Sequence, residues 1–154
     1  MFEESPDGFI SRWRQHAAAA RVFSRTEGLP LLEVEAGGAI LQVLERTGPY
    51  LAQPGEANVI INPTARTVEL HGSGKMSVEV AGIGRMSACG QIIYRDDPFL
   101  VVDVGAPVVL GVIEPLPDGA VAGAWVSFES IPPIHGFVVP TQKRNVVRSA
   151  EEAP

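Results

Sequence analysis

Residues 86–104 read MSACGQIIYRDDPFLVVDV, and this stretch decides the fold class. It contains two strand-like runs, Met86 to Tyr94 and Phe99 to Val104, in which β-branched and aromatic residues favour extended backbone. Asp96-Asp97-Pro98 separates the runs and has the composition of a tight turn. We therefore predict two antiparallel strands joined by a hairpin.

The same rhythm of apolar runs and turn residues extends in both directions. Leu31–Glu35 and Ile40–Leu44 flank Gly37-Gly38, which suits a two-residue hairpin turn. Further strand-like runs cover residues 58–62, 66–71, 75–80, 107–112, 121–129 and 134–139. In runs 66–71 and 75–80 the alternation predicts that the apolar side chains face inward: Val68, Leu70, Met76, Val78 and Val80. About ten short strands without interleaved helices predict a mainly β fold, an antiparallel barrel or sandwich.

One amphipathic helix is predicted before the strands. Ser5-Pro6-Asp7 supplies an N-cap, a proline in the first turn and an acid near the positive end of the helix dipole. Apolar residues then recur at spacings of three and four, which predicts a helix over residues 6–24. Residues 31–140 form the predicted β-body, so 1–140 is expected to be a single β-rich domain, with 31–81 and 84–140 as two small halves in an alternative division. Residues 141–154 are predicted to be a flexible tail.

The strand that begins at Met86 has a glycine, Gly90, near its middle, and the 96–98 hairpin follows it. A glycine in this place lets a long strand bend and take part in both sides of a barrel. On this pattern residues 86–139 resemble a small Greek-key β-barrel of the OB type. The resemblance implies a fold and, through the fold, a module that binds single-stranded nucleic acid.

Composition restricts the classes of function. The chain has 154 residues and a formal net charge of −6, which opposes binding to a phosphate backbone. Its one cysteine, Cys89, excludes a disulfide within the chain and a structural zinc site built on cysteines. No signal peptide and no long apolar run is present, so the expected compartment is the cytoplasm, without membrane contact.

The short motifs are explained better by turns than by chemistry. Gly72-Ser73-Gly74-Lys75 lacks the spacing of a phosphate-binding loop, and Gly82-Ile83-Gly84 lacks the third glycine of a dinucleotide fingerprint. The three histidines have no partner at the short spacings typical of metal motifs, and no GxSxG sequence occurs. We therefore predict no cofactor, no metal site and no catalytic residue.

A binding surface is predicted around Trp125. Alternation through Gly123, Trp125, Ser127 and Glu129 places the indole on the more polar face of its strand. There it suits an interface anchor, or it is covered by the N-terminal helix or by the other half of the chain. Apolar and aromatic residues after Pro132-Pro133 extend this surface: Ile134, His135 and Phe137. The leading hypothesis is a non-catalytic module that binds a protein partner or forms a homo-oligomer.

Two alternatives stay open at the level of sequence. In a module for single-stranded nucleic acid, bases would stack on Tyr94, Phe99 and Trp125, and phosphates would meet Arg85, Arg95, Lys143 and Arg144. The segment 86–140 disfavours this, because it has one basic residue, Arg95, against six acidic ones. The other alternative is an enzyme whose site assembles only in the fold, with His71 or His135 beside acids.

Overall fold

The computed structural model describes residues 5–23, 30–47 and 53–140, so the predicted tail lies outside the described residues. One α-helix, one 3-10 turn and ten strands form this part of the chain. In chain order they are α1 (Pro6–Trp13), the 3-10 turn (Arg14–His16), β1 (Ala18–Val22), β2 (Leu31–Ala36), β3 (Ala39–Glu45), β4 (Gly55–Ala65), β5 (Glu69–His71), β6 (Ser77–Gly82), β7 (Arg85–Asp96), β8 (Phe99–Asp103), β9 (Pro107–Val112) and β10 (Trp125–Val138).

The N-terminal helix begins where the sequence predicts and ends earlier. The Ser5 side chain accepts a hydrogen bond from the Gly8 amide at 3.1 Å, which caps the helix as expected. The prediction that it continues to residue 24 is wrong, because α1 ends at Trp13 and β1 occupies 18–22. In β1 the buried residues alternate with exposed ones, and the strand pairs with β2 and β4. Strand pairing therefore overrides the helix propensity of the alanines.

The last two predicted strands are one strand. The sequence suggests a break at Pro132-Pro133, but β10 runs from Trp125 to Val138 and its pairing with β4 shifts register between Ile131 and His135. Prolines donate no backbone hydrogen bond, so they are tolerated at an irregularity of this kind. The break predicted from sequence is thus a bulge inside a long strand.

The mainly β barrel is confirmed, but its pairing is mixed rather than purely antiparallel. A closed circuit runs through β10, β3, β2, β1, β4, β9, β8 and β7, and the β4–β10 ladder crosses it. The β3–β10 and β4–β9 pairs are parallel. These partners are far apart in sequence, so no hairpin forces them to be antiparallel.

Strand β7 contributes to two parts of the barrel, as the glycine pattern predicts. Residues 87–91 pair with β10, and residues 91–96 pair with β8. Gly90 lies at the changeover, where a Cβ atom would lie 2.8 Å from the carbonyl carbon of Asp103 and would also meet its oxygen. The closed ring that contains β7 to β10 also needs β4, which precedes residues 86–139 in sequence.

Both faces of the sheet contribute to apolar clusters, one inside the barrel and one under α1. The inner face forms the main core with residues from β1 to β4 and from β7 to β10, such as Val43, Ile61 and Leu100. On the outer face α1 packs Phe9, Ile10 and Trp13 onto a second apolar cluster: Ile60, Phe99, Val101, Val109 and Phe137. These residues belong to β4, β8, β9 and β10, so α1 covers that side of the barrel.

Strands β5 and β6 are the exposed ends of the sheet. Of the side chains predicted to face inward, Val68 is buried and Val78 is half-buried, but Leu70, Met76 and Val80 are exposed. Strands β5 and β6 each hydrogen-bond to one neighbouring strand, which leaves Leu70 and Val80 open to solvent, and Met76 lies in the loop before β6. The prediction is therefore wrong for these three residues. Alternation therefore marks the two faces of these strands but not the depth of burial.

Candidate functional site

An open groove lies on the outer face of β5, β10, β7 and β6. It has a volume of about 1130 Å³. Its walls are mostly hydroxyl and charged side chains, with Cys89 among them. The groove uses the first half of β10, whereas α1 packs on Phe137 in the second half.

Strand register explains why these side chains lie together. Ser127 of β10 is directly opposite Glu69 of β5 on one side and Cys89 of β7 on the other, and Cys89 is opposite Ser77 of β6. Opposite residues in a sheet share a face, so this row crosses the groove. A second row is formed in the same way by Glu129, Ser87 and Glu79.

The groove contains charges without partners. Glu69, Glu79 and Glu129 make no side-chain hydrogen bond or ion pair with another described residue. The same holds for Arg85 among the residues that the structure describes, whereas Arg66 lies 3.8 Å from Glu114. Arg85 is opposite Gly82, beyond Glu79 along β6. The groove therefore has carboxylates on its two lateral strands, β5 and β6, and on β10, and it has guanidinium groups at one end.

At the other end of the groove, Trp125 is half-buried in the row next to Ser127. The β5–β6 loop rests on it, because a Cβ atom on Gly74 would lie 2.9 Å from indole Cε3 and 3.2 Å from Cys89 Sγ. Close by, His71 Nε2 and Ser127 Oγ are 2.8 Å apart. Trp125 thus borders the groove and is covered by this loop rather than by α1.

The β6–β7 hairpin that forms one wall is tied to β10 by Ser130. The Ser130 hydroxyl accepts a hydrogen bond from the Met86 amide and donates one to the Gly84 carbonyl, both at 2.9 Å. A Cβ atom on Gly84 would lie 3.0 Å from Pro132 Cβ, so the hairpin turn packs on the proline pair. These contacts hold the wall in place beside the groove.

Three of the residues predicted to bind a partner are buried. Phe137 stacks on Phe9 with ring centroids 4.5 Å apart, and Phe99 meets Trp13 edge to face at 5.3 Å. Ile134 belongs to the main core. A partner would have to displace α1 or open the barrel to reach these side chains.

The other two predicted residues are accessible but lie outside the groove. Tyr94 is 45% exposed and stacks on His16 at 5.4 Å. His135 is half-buried opposite Asn62 of β4. Burial lowers the pKa of His135, and the positive charge of Arg46 lowers it further.

The residues predicted for nucleic-acid binding do not lie together on one surface. Tyr94 and Phe99 both contact Trp13, but Trp125 has no ring contact with another described aromatic residue. The Arg95 guanidinium donates to the Asp97 carboxylate at 2.6 and 3.0 Å and to the carbonyls of Pro117 and Ala120 at 2.8 and 3.0 Å. Of the predicted phosphate contacts, Lys143 and Arg144 lie outside the described residues, and Arg85 is in the groove.

Sequence reasoning missed most of the groove. It placed Ser127 and Glu129 on the polar face of their strand but assigned no role to them, and it did not identify Glu69, Ser87 or Glu79. Each of these side chains is an ordinary polar residue in an alternating strand. The only signal was the run of polar residues on matching faces of β7 and β10, and using it requires knowing that the two strands pair.

Several kinds of chemistry find no support in the described part of the chain. There, no group of three or more histidine, cysteine or acidic side chains could hold a metal ion, and no helix is long and apolar enough to cross a membrane. Within residues 5–23, 30–47 and 53–140, His71 hydrogen-bonds only to Ser127, so no carboxylate orients the ring. Comparisons of the chain with family models, curated proteins and solved structures find no match.

Proposed function

We propose that this chain is a non-catalytic binding module that holds an extended segment of a protein partner in the groove on β5, β10, β7 and β6. The observation that carries the proposal is the open groove itself, whose polar and charged side chains come from four neighbouring strands. Side chains of an extended segment that enter such a groove supply selectivity.

Strand β6 forms one wall of the groove. Among the described residues its only hydrogen-bonded neighbour is β7, and β3 also lies close to it. The residues of β6 from Glu79 to Gly82 are exposed, as is Ile83 in the turn. A partner in the groove can therefore contact this wall.

The OB likeness supports this location indirectly. In OB-type barrels the face of the second and third strands binds the ligand. If β7 is taken as the first strand, those strands are β8 and β9, whose outer face lies under α1. The chain's own helix therefore occupies the usual ligand surface, and the groove on β5, β6, β7 and β10 is the open one.

Nucleic acid is the less favoured ligand. Its recognition needs stacking platforms and free cationic groups along a single path. Here the Phe99 ring is buried under α1, and the Arg95 guanidinium is bound to Asp97 and to two carbonyl groups. The carboxylates in the groove would also repel a phosphate backbone.

An enzyme is disfavoured for a different reason. The His71–Ser127 hydrogen bond is the one feature that suits a nucleophile with its base. Activation of a serine in this way also relies on a third group that orients the histidine, and the described residues supply none. We therefore interpret the pair as a cross-strand contact that steadies the short strand β5.

The proposal can be tested without knowing the natural partner. A display library of random linear peptides would be selected against the full chain, and enriched peptides would be measured by fluorescence anisotropy. The variant Ser87→Trp fills the middle of the groove, and Ser11→Trp places the same bulk on the exposed face of α1 as a control. Enriched peptides should lose about tenfold or more in affinity for Ser87→Trp and little for Ser11→Trp.

A second measurement covers the case in which Ser87→Trp does not fold. Cys89 is the only cysteine and it lines the groove, so alkylation with a maleimide fills the groove without a mutation. Bound peptide should slow this alkylation, and prior alkylation should block binding. The proposal fails if no peptide is enriched, or if enriched peptides bind alkylated and unmodified protein equally.

A further inference from the structure

Building on the proposed function, we infer that the bound segment lies along β7 and carries a basic and an acidic side chain two residues apart. The lining of the groove is lowest over β7. Ser87 and Cys89 of this strand are small and half-buried, whereas Glu79 of β6 and Glu129 of β10 beside them are exposed. The groove therefore has its floor on β7 and its walls on the neighbouring strands.

Two carboxylates flank the floor at Ser87. Glu129 of β10 and Glu79 of β6 are each directly opposite Ser87, so the two glutamates lie on either side of it in one row. Neighbouring strands are about 4.8 Å apart, so the Cα atoms of the two glutamates are roughly 10 Å apart. A lysine or arginine side chain above Ser87 would lie between these carboxylates, and neither has a partner among the described residues. This position therefore favours a basic side chain.

The opposite charge lies one step further along the same strand. Arg85 precedes Ser87 by two residues, both line the groove, and the Arg85 guanidinium makes no ion pair with another described residue. Two residues of an extended chain span about 6.6 Å. A segment above β7 has the same rise, so the side chain two positions from the one over Ser87 reaches Arg85. There an acidic side chain is attracted and a basic one is repelled.

The floor also sets the direction of the segment. A path along β7 passes over the small side chains of Ser87 and Cys89, whereas a path across the strands must pass over Glu79 and Glu129. At the inner end the β5–β6 loop limits the path, because a Cβ atom on Gly74 would lie 3.2 Å from Cys89 Sγ. The segment therefore runs along β7, with its acidic side chain at the Arg85 end.

The peptide library selected against the full chain tests the spacing directly. Enriched and unselected sequences are compared for pairs of opposite charge that are one, two or three positions apart. Pairs two positions apart should be enriched about threefold or more over the other spacings. Selection against the variant Arg85→Glu should instead enrich two basic residues at this spacing, because the guanidinium is replaced by a carboxylate.

One enriched peptide with such a pair is then measured by fluorescence anisotropy. Arg85→Glu should weaken its binding about fivefold. Arg14→Glu is the control, since Arg14 is exposed in the 3-10 turn and does not line the groove, and it should leave the affinity unchanged. Replacing the acidic residue of the peptide by lysine should restore binding to Arg85→Glu, which a misfolded variant cannot do.

The outcomes separate the inference from the proposed function. If enriched peptides are blocked by alkylation of Cys89 but show no preference for the two-residue spacing, the inference fails and the proposed function survives. The inference also fails if Arg85→Glu and Arg14→Glu bind the peptide equally. If no peptide is enriched, both fail.

Discussion

At Gly90 the backbone of β7 leaves no room for a side chain. A Cβ atom there would lie 2.8 Å from the Asp103 carbonyl carbon and 2.8 Å from a methyl group of Val104. Because the obstructing atoms include the backbone of Asp103 at the end of β8, the clash cannot be relieved by a rotamer change. We expect Gly90→Ala to lower the free energy of unfolding by about 3 kcal/mol, measured by urea denaturation.

Gly72 is the matched control for this substitution. It lies in the β5–β6 loop, and a Cβ atom there would meet nothing within 4 Å. Gly72→Ala should change the free energy of unfolding by about 0.5 kcal/mol or less. Equal effects of the two substitutions would contradict the close approach of β7 to the turn after β8.

At the scale of elements, α1 is held by its aromatic face. Phe9 is 3% exposed and contacts the rings of Phe99 and Phe137, with centroids 5.8 and 4.5 Å away. Phe9→Ala removes this packing and leaves a cavity, so we expect a loss of about 3 kcal/mol in the free energy of unfolding. The measurement is urea denaturation monitored by tryptophan fluorescence. This signal also reports the surroundings of Trp13, which is in contact with Phe9.

Ser11→Ala provides the comparison for the helix. Ser11 is on the exposed side of α1, so its removal should change stability by only a few tenths of a kcal/mol, since a surface helix position gains or loses little. A loss as large as that of Phe9→Ala would mean that helix propensity, rather than packing on the barrel, holds α1.

The β6–β7 hairpin shows how an element can be exposed and still ordered. Every residue of β6 except Val78 is exposed, and the Ser130 hydroxyl holds Met86 and Gly84 on the β7 side. The hairpin therefore gives the groove an ordered wall that a partner can reach.

At the scale of the whole molecule, stability should depend on pH near neutrality. Burial lowers the pKa of His135 below 6.5, and burial also lowers the pKa of His16. Well above pH 6.5 both side chains are neutral in the folded and unfolded states. As the pH falls below 6.5 the unfolded chain takes up protons first, so the free energy of unfolding decreases.

This dependence can be measured as the urea midpoint between pH 7.5 and pH 5, above the range in which most carboxylates titrate. His135→Gln should flatten the curve over this interval, whatever its effect on stability at pH 7.5. A slope identical to that of the unsubstituted chain would show that the His135 ring is as well solvated in the folded state as in the unfolded state.

Local sequence patterns correctly predicted the type and approximate position of most strands, the N-cap of α1 and the Gly37-Gly38 turn. These are local properties, because alternation, turn residues and caps act over a few neighbouring positions. The double pairing of β7 was also predictable from Gly90, because a glycine in the middle of a long strand indicates a close approach of another backbone.

The pairing of distant strands and the burial of their faces depend on long-range packing. The alanines of β1 suit a helix or a strand, and pairing with β2 and β4 selects the strand. Phe99 and Phe137 are aromatic residues of the kind found at exposed interfaces, but α1 buries both of them. The groove assembles Glu69, Ser127 and Glu79 from three strands, so its charge pattern depends on long-range register, which no local pattern records.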